Sequence, residues 1–143
     1  MNNDLIARSS VTVQAPPARV WRALVSPPEI RHYMFGAEVV SDWKEGSPIT
    51  WKGDWKGKRY EDKGVIETFR PERELRYTHY SPLSGLPDEP ESYHRVTVQL
   101  EPADGGTKVT LSQDNNPTEE ARDHSQKNWQ MMLAGLKAFV EGA

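Results

Sequence analysis

Two spacings of apolar residues follow one another along the chain, and the change from one to the other marks its elements. In "YHRVTVQL" every second residue is His94, Val96, Val98 and Leu100, and in "TKVTLSQD" every second residue is Thr107, Val109, Leu111 and Gln113. A period of two puts each set on one face of a β-strand, here apolar in the middle and polar at one end. "LIARSSVTV" from Leu5 to Val13, "EVVSDW", "ITWKG", "RYEDKGVIETF" and "ELRYTHY" are further strand-like runs. Turns such as "KEGSP" and "EPADGG" join several of them, and successive short connections predict an antiparallel meander. The spacing changes near the end. In "NWQMMLAGLKAFV", Trp129, Met132, Leu133, Leu136, Phe139 and Val140 recur at three- and four-residue steps, the period of one face of an α-helix. Asn116 as cap, Pro117 at the first position and Glu119 three residues after the cap predict a helix from Pro117 to Val140. Paired prolines frame two shorter helices after the first strand, Pro17 to Val25 and Pro28 to Tyr33. The Pro, Gly and Ser segment from Ser81 to Ser92 is longer than a hairpin turn and is a candidate lid or binding loop.

A length of 143 residues fits one domain, 1–143, with a real core. Hydrophobic residues make up only 36%, and five Trp and five Tyr supply much of the bulk, which suits a small core or an interior walled partly by aromatic and polar groups. The net charge of −3 is spread over interspersed acids and bases, which argues against a nucleic-acid surface. "KGDWKGKRYEDKG" holds five bases, but Asp54, Glu61 and Asp62 interrupt them, so a solvated hairpin is expected rather than a phosphate-binding patch. With no cysteine, disulfides, thiolate nucleophiles and Cys-based zinc sites are excluded. The start "MNNDLIARSS" lacks an apolar leader and no segment reaches the length of a membrane span, so a soluble cytoplasmic protein is expected.

The chemistry-bearing residues are few. His32, His79, His94 and His124 show no paired metal-ligand spacing, so neither metal nor cofactor is expected. His79 and His94 fall near the ends of strands that flank the Ser81 to Ser92 loop. Inward imidazoles there would orient a ligand or move a proton; as structural or surface groups they would do neither. Glu61 and Glu67 share a strand face, which makes them buried acids if that face is concave and solvated ones if it is outer. Trp51, Trp55, Tyr60 and Tyr77 serve equally as core bulk or as cavity wall. Met132 lies on the helix stripe, while Met131 lies off it and is a candidate contact for a partner.

The order of elements resembles the START-like, SRPBCC or Bet v-like superfamily. "VQAPPARVWRALVSPPEI" is similar to its opening, through Ala15, Pro16, Val20, Trp21, Ala23, Leu24 and Pro27. "DWKEGSPITWKG", "YEDKGVI", "ELRYTH" and "NWQMMLAGLKAFVEG" resemble the branch named after the activator of the heat-shock-protein-90 ATPase, over nearly the whole chain. Tyr33 and Met34 stand where members of that branch often carry a Trp, a departure at one end of the cavity. The resemblance implies an α+β helix-grip fold, with a curved antiparallel sheet of about seven strands around the long C-terminal helix and a cavity between them. Trp51, Tyr77, His79, His94, Gln113, Trp129, Met132, Leu133 and Leu136 are then the cavity candidates. The expected function is non-enzymatic binding of a small lipophilic or aromatic molecule, lipid included, as carrier or sensor. Two alternatives stay open: a co-chaperone-like or stress-response protein with a chaperone partner, and a cyclase- or hydrolase-type enzyme using His79, His94 or Glu61. Monomer and homodimer are both compatible with the sequence.

Overall fold

Each alternating run forms a strand, and each strand pairs with its neighbour in the meander. The structure is a computed structural model that describes residues 5–34, 36–55 and 57–142, apart from the side chains of Trp55 and Leu83. Strand β1 (Ala7–Val13) leads into helices α1 (Pro17–Val25) and α2 (Pro27–Ile30). Strands β2 (Glu38–Ser41), β3 (Pro48–Trp55), β4 (Lys58–Arg70), β5 (Glu74–His79), β6 (His94–Ala103) and β7 (Gly106–Gln113) follow, and helix α3 (Glu119–Gly142) ends the chain. The seven strands form one sheet in the order β1-β7-β6-β5-β4-β3-β2, antiparallel throughout. This is the α+β helix-grip architecture, with short helices after the first strand and a long helix at the end.

Registry turns the sequence alternation into a graded surface. One inner row reads Val11, Val109, Leu100, and the next Ser9, Leu111, Val98, Leu75. Then come Gln113, Val96 and Tyr77, and finally the pair His94 and His79. The sheet face is therefore apolar at one end and increasingly polar and aromatic toward the other. Helix α3 covers it: Leu133 and Leu136 are fully buried and join Val20, Ile66, Val96, Val109 and Leu111 in the core. Burying such side chains contributes about 1.5–3 kcal/mol each. Helix α1 adds Val20, Trp21, Ala23 and Leu24 from its inner face.

The second and third helices differ in their boundaries from the sequence expectation. Helix α2 stops at Ile30, and Arg31 to Met34 continue as turns that bury Tyr33, whose hydroxyl donates to the Ala23 carbonyl at 2.7 Å. Helix α3 is capped by Thr118, which accepts the Ala121 N–H at 3.0 Å, and not by Asn116. Asn116 is buried instead, and its amide donates to the Leu5 carbonyl at 2.9 Å and the Gln113 carbonyl at 3.1 Å. It ties the chain ahead of β1 to the end of β7, which leaves the cap to the next hydroxyl along. Gly64 is required where β4 meets β5, because a Cβ there would run into the Thr78 carbonyl.

Candidate functional site

Helix α3 follows the sheet over only part of its length. Its buried residues are Met132, Leu133, Leu136 and Val140, all in the second half. The first half meets β1, where the Gln126 carbonyl accepts the Ser9 hydroxyl at 3.1 Å and the Gln126 side-chain oxygen accepts the Arg8 N–H at 3.2 Å. A cavity of about 650 Å³ lies between this half and Trp51, His79 and His94. Among the sequence-selected residues, Trp51, Tyr77, His79, His94, Gln113, Trp129 and Met132 line this space. Leu133 and Leu136 do not, since their side chains turn into the sealed core. The side chain of Trp55 lies outside the described residues.

The floor is aromatic. Trp51 lies 5.2 Å from Tyr77 and 5.0 Å from His79 between ring centroids. Met34, Trp51, Tyr77 and Met132 also line a void of about 30 Å³ on the core side, so these four side chains separate the cavity from the core. Met34 occupies part of the position noted as a departure from the family pattern, and it does reach the cavity. Burial in the floor raises the Tyr77 hydroxyl above its ordinary value and keeps it neutral.

One polar corner is built by β4, β5 and β6. His79 and His94 are direct partners in register, with ring centroids 6.3 Å apart. His79 Nε2 is 2.8 Å from Asp62 Oδ2, and His94 Nδ1 is 2.9 Å from the Asp114 carbonyl. Burial lowers the pKa of His94 below the usual imidazole value; the Asp114 carbonyl opposes this, and neighbouring His79 adds to the lowering. On the other side, the Trp129 indole N–H donates to Gln113 Oε1 and closes the space between α3 and β7.

The acid of this corner is Asp62, not Glu61. Glu61 and Glu67 do share a face, but it is the solvent face, where Glu67 pairs with Arg95 at 2.6 Å. Asp62 falls on the inner face with Gly64 and Ile66, and the alternation read from the buried Ile66 would have found it. Tyr60, two residues before Asp62, also lines the cavity. His32 is elsewhere, stacked on Phe139 at 4.8 Å. His124, Asn128 and Met131 of α3 form one lip of the mouth, and Ser81 and Ser84 form the other. The loop carrying these serines is fastened by Lys63 to Asp88 at 2.5 Å, Tyr93 to Asp88 at 2.7 Å and the Tyr80 hydroxyl to the Leu86 carbonyl at 2.6 Å. Among the described residues, no group of three or more His, Asp or Glu side chains is placed to hold a metal ion. None of the helices among those residues is long and apolar enough to cross a membrane.

Known proteins share this architecture. A family model described as "Activator of Hsp90 ATPase homolog 1-like protein" matches residues 14–141. The solution structure of ChR145 from Cytophaga hutchinsonii is 54% identical, with a TM-score of 0.86 over 99% of this chain and 97% of that one. The Aha1 dimer from Colwellia psychrerythraea is similar in fold at 18% identity, with a TM-score of 0.73 over 95% of this chain and 96% of that one. Ara h 8.0201 is likewise similar in fold at 16% identity, with a TM-score of 0.75 over 96% and 98%. No curated protein sequence matches the chain.

Proposed function

We propose, from the premise that the chain belongs to the Activator of Hsp90 ATPase homolog 1-like family within the Bet v-like superfamily, that it binds a small aromatic or lipophilic molecule between α3 and the sheet. The observation that carries this reading is the cavity of about 650 Å³, walled by Trp51, Tyr77, Trp129 and Met132 with a few polar groups at one corner. That size and lining suit a small-molecule site, in which apolar surface supplies affinity and sparse polar groups set orientation. The binding role is that of a carrier or sensor. Native mass spectrometry of the protein from its own cells, followed by thermal-shift screening of lipids and aromatic metabolites, tests it. A retained adduct or a concentration-dependent rise in Tm supports the reading. A protein that carries nothing and shows no shift across the screen rejects it.

The family's description and the 59% exposure of Met131 at the mouth favour a second reading, a chaperone-linked interaction protein. A pull-down that recovers no chaperone, together with an unchanged chaperone ATPase rate, removes that reading.

A further inference from the structure

Hydrogen-bond partners fix which nitrogen of each cavity imidazole carries the proton, and this decides what the polar corner can recognise. The Asp114 carbonyl is an acceptor only, so His94 Nδ1, 2.9 Å away, must be the N–H. In the neutral ring His94 Nε2 is then a bare lone pair. The ionised carboxylate of Asp62 is likewise an acceptor only, so His79 Nε2, at 2.8 Å, carries the proton and leaves His79 Nδ1 bare in the neutral ring. Asp62 Oδ1 is buried and has no hydrogen-bond partner, so the carboxylate makes its one side-chain hydrogen bond to His79. Beside it, Gln113 accepts the Trp129 indole N–H through Oε1, which assigns its amide NH2 as the group left to donate.

We propose that the cavity selects an aromatic molecule bearing a neutral hydroxyl, phenolic or enolic, whose O–H donates to the His79–His94 pair and whose oxygen accepts from Gln113. This rests on the small-molecule reading above and specifies its ligand. A histidine pair in a cavity usually suggests a cationic site for carboxylates. Here the partners reverse that expectation, since both imidazoles that line the cavity spend their N–H groups on Asp62 and the Asp114 carbonyl and keep a lone pair in the neutral ring. A carboxylate ligand brings no proton to the imidazole lone pairs and finds only the Gln113 amide as a donor, and an ether leaves the imidazole acceptors unsatisfied. Trp51 lies 5.0 Å from His79 and 5.2 Å from Tyr77 between ring centroids, so an aromatic ring packed against Trp51 has the imidazoles within reach of a ring hydroxyl.

The test uses three probes of one shape: 2-naphthol, 2-methoxynaphthalene and 2-naphthoate, titrated into the full chain at about pH 8, where an ordinary imidazole is neutral. The naphthol should bind about tenfold more tightly than either of the others, and His94→Phe should bring its ratio to the ether close to one. Equal binding of naphthol and ether leaves the aromatic cavity standing and overturns the hydroxyl selection. Tightest binding of the naphthoate overturns it too, since the imidazoles would then be donors. If none of the three binds, the proposal of an aromatic hydroxyl ligand is overturned, while the wider small-molecule reading still stands or falls with the screen of lipids and metabolites. Long-range 1H–15N correlation spectra of the unsubstituted protein test the premise without any variant. They should show His94 protonated at Nδ1 and His79 at Nε2, and the opposite tautomer at either ring contradicts the assignment.

Discussion

The two halves of helix α3 lie over the same sheet and behave differently. The second half sends Met132, Leu133, Leu136 and Val140 inward, against rows of Val and Leu that leave no exposed apolar surface between them. The first half, from Glu119 to Trp129, has no buried side chain and faces the row that ends in His79 and His94. Sequence sets this difference: the helical stripe begins only at Trp129, and the strand alternation turns polar at the matching end of β5, β6 and β7. Where both surfaces are apolar, contact expels water and stabilises the fold. Where the sheet is polar and the helix lacks apolar bulk, closure would bury polar groups without partners, so an open space is the lower-energy arrangement. The sealed core and the open cavity thus occupy opposite ends of one interface.

Substitutions in the sealed half should break this comparison most severely. Leu133→Ala or Leu136→Ala removes a fully buried side chain from a closed core, with an expected cost of about 2–5 kcal/mol in urea unfolding. Trp129→Phe, at the boundary between the halves, loses the indole donor to Gln113. Water in the open cavity can replace that donor, so the expected loss is about 1 kcal/mol by the same measurement. A loss as large as that of the leucines would mean the first half is packed as tightly as the second.

The polar corner should also be visible in the pH dependence of stability. The folded pKa of His94 lies below its unfolded value, chiefly through burial. Between those two values the unfolded chain binds more protons, so stability is full above the ordinary imidazole range, near pH 6.5, and falls as pH drops toward the folded pKa. Denaturant midpoints measured from pH 8 downward should show this decline, and His94→Gln should flatten it. At the small end of the scale, Glu67→Ala on the outer face removes a half-exposed pair with Arg95 and should cost at most about 1 kcal/mol. Met131→Ala, at the exposed lip, should fall within about 0.5 kcal/mol of the unsubstituted protein.

Much of this division was legible along the chain. The period-two runs placed Val96, Val98, Val109 and Leu111 on one inner face, and the helical stripe placed Leu133 and Leu136 opposite them. Pairing of His79 with His94 followed from the loop between their strands. What periodicity does not resolve is how far along the helix the seal extends, because a stripe of equal spacing holds both the cavity residue Met132 and the core residue Leu133. Glu61 drew attention over Asp62 because the charged run Glu61, Asp62 and Lys63 hides its own phase; only the anchoring Ile66 reveals which of the two acids turns inward. The cap moved from Asn116 to Thr118 for a tertiary reason, since the carbonyl of Leu5 that holds Asn116 comes from the far end of the chain.

The most direct test is a 1H–15N and methyl NMR titration of the full chain with 2-naphthol. The account expects saturable shifts at the Trp129 indole N–H, the Gln113 amide and the rings of His79 and His94, while the methyls of Leu136 and Val109 stay in place. Absence of any saturable shift, or shifts centred on the outer face around Glu67 and Arg95, would contradict it.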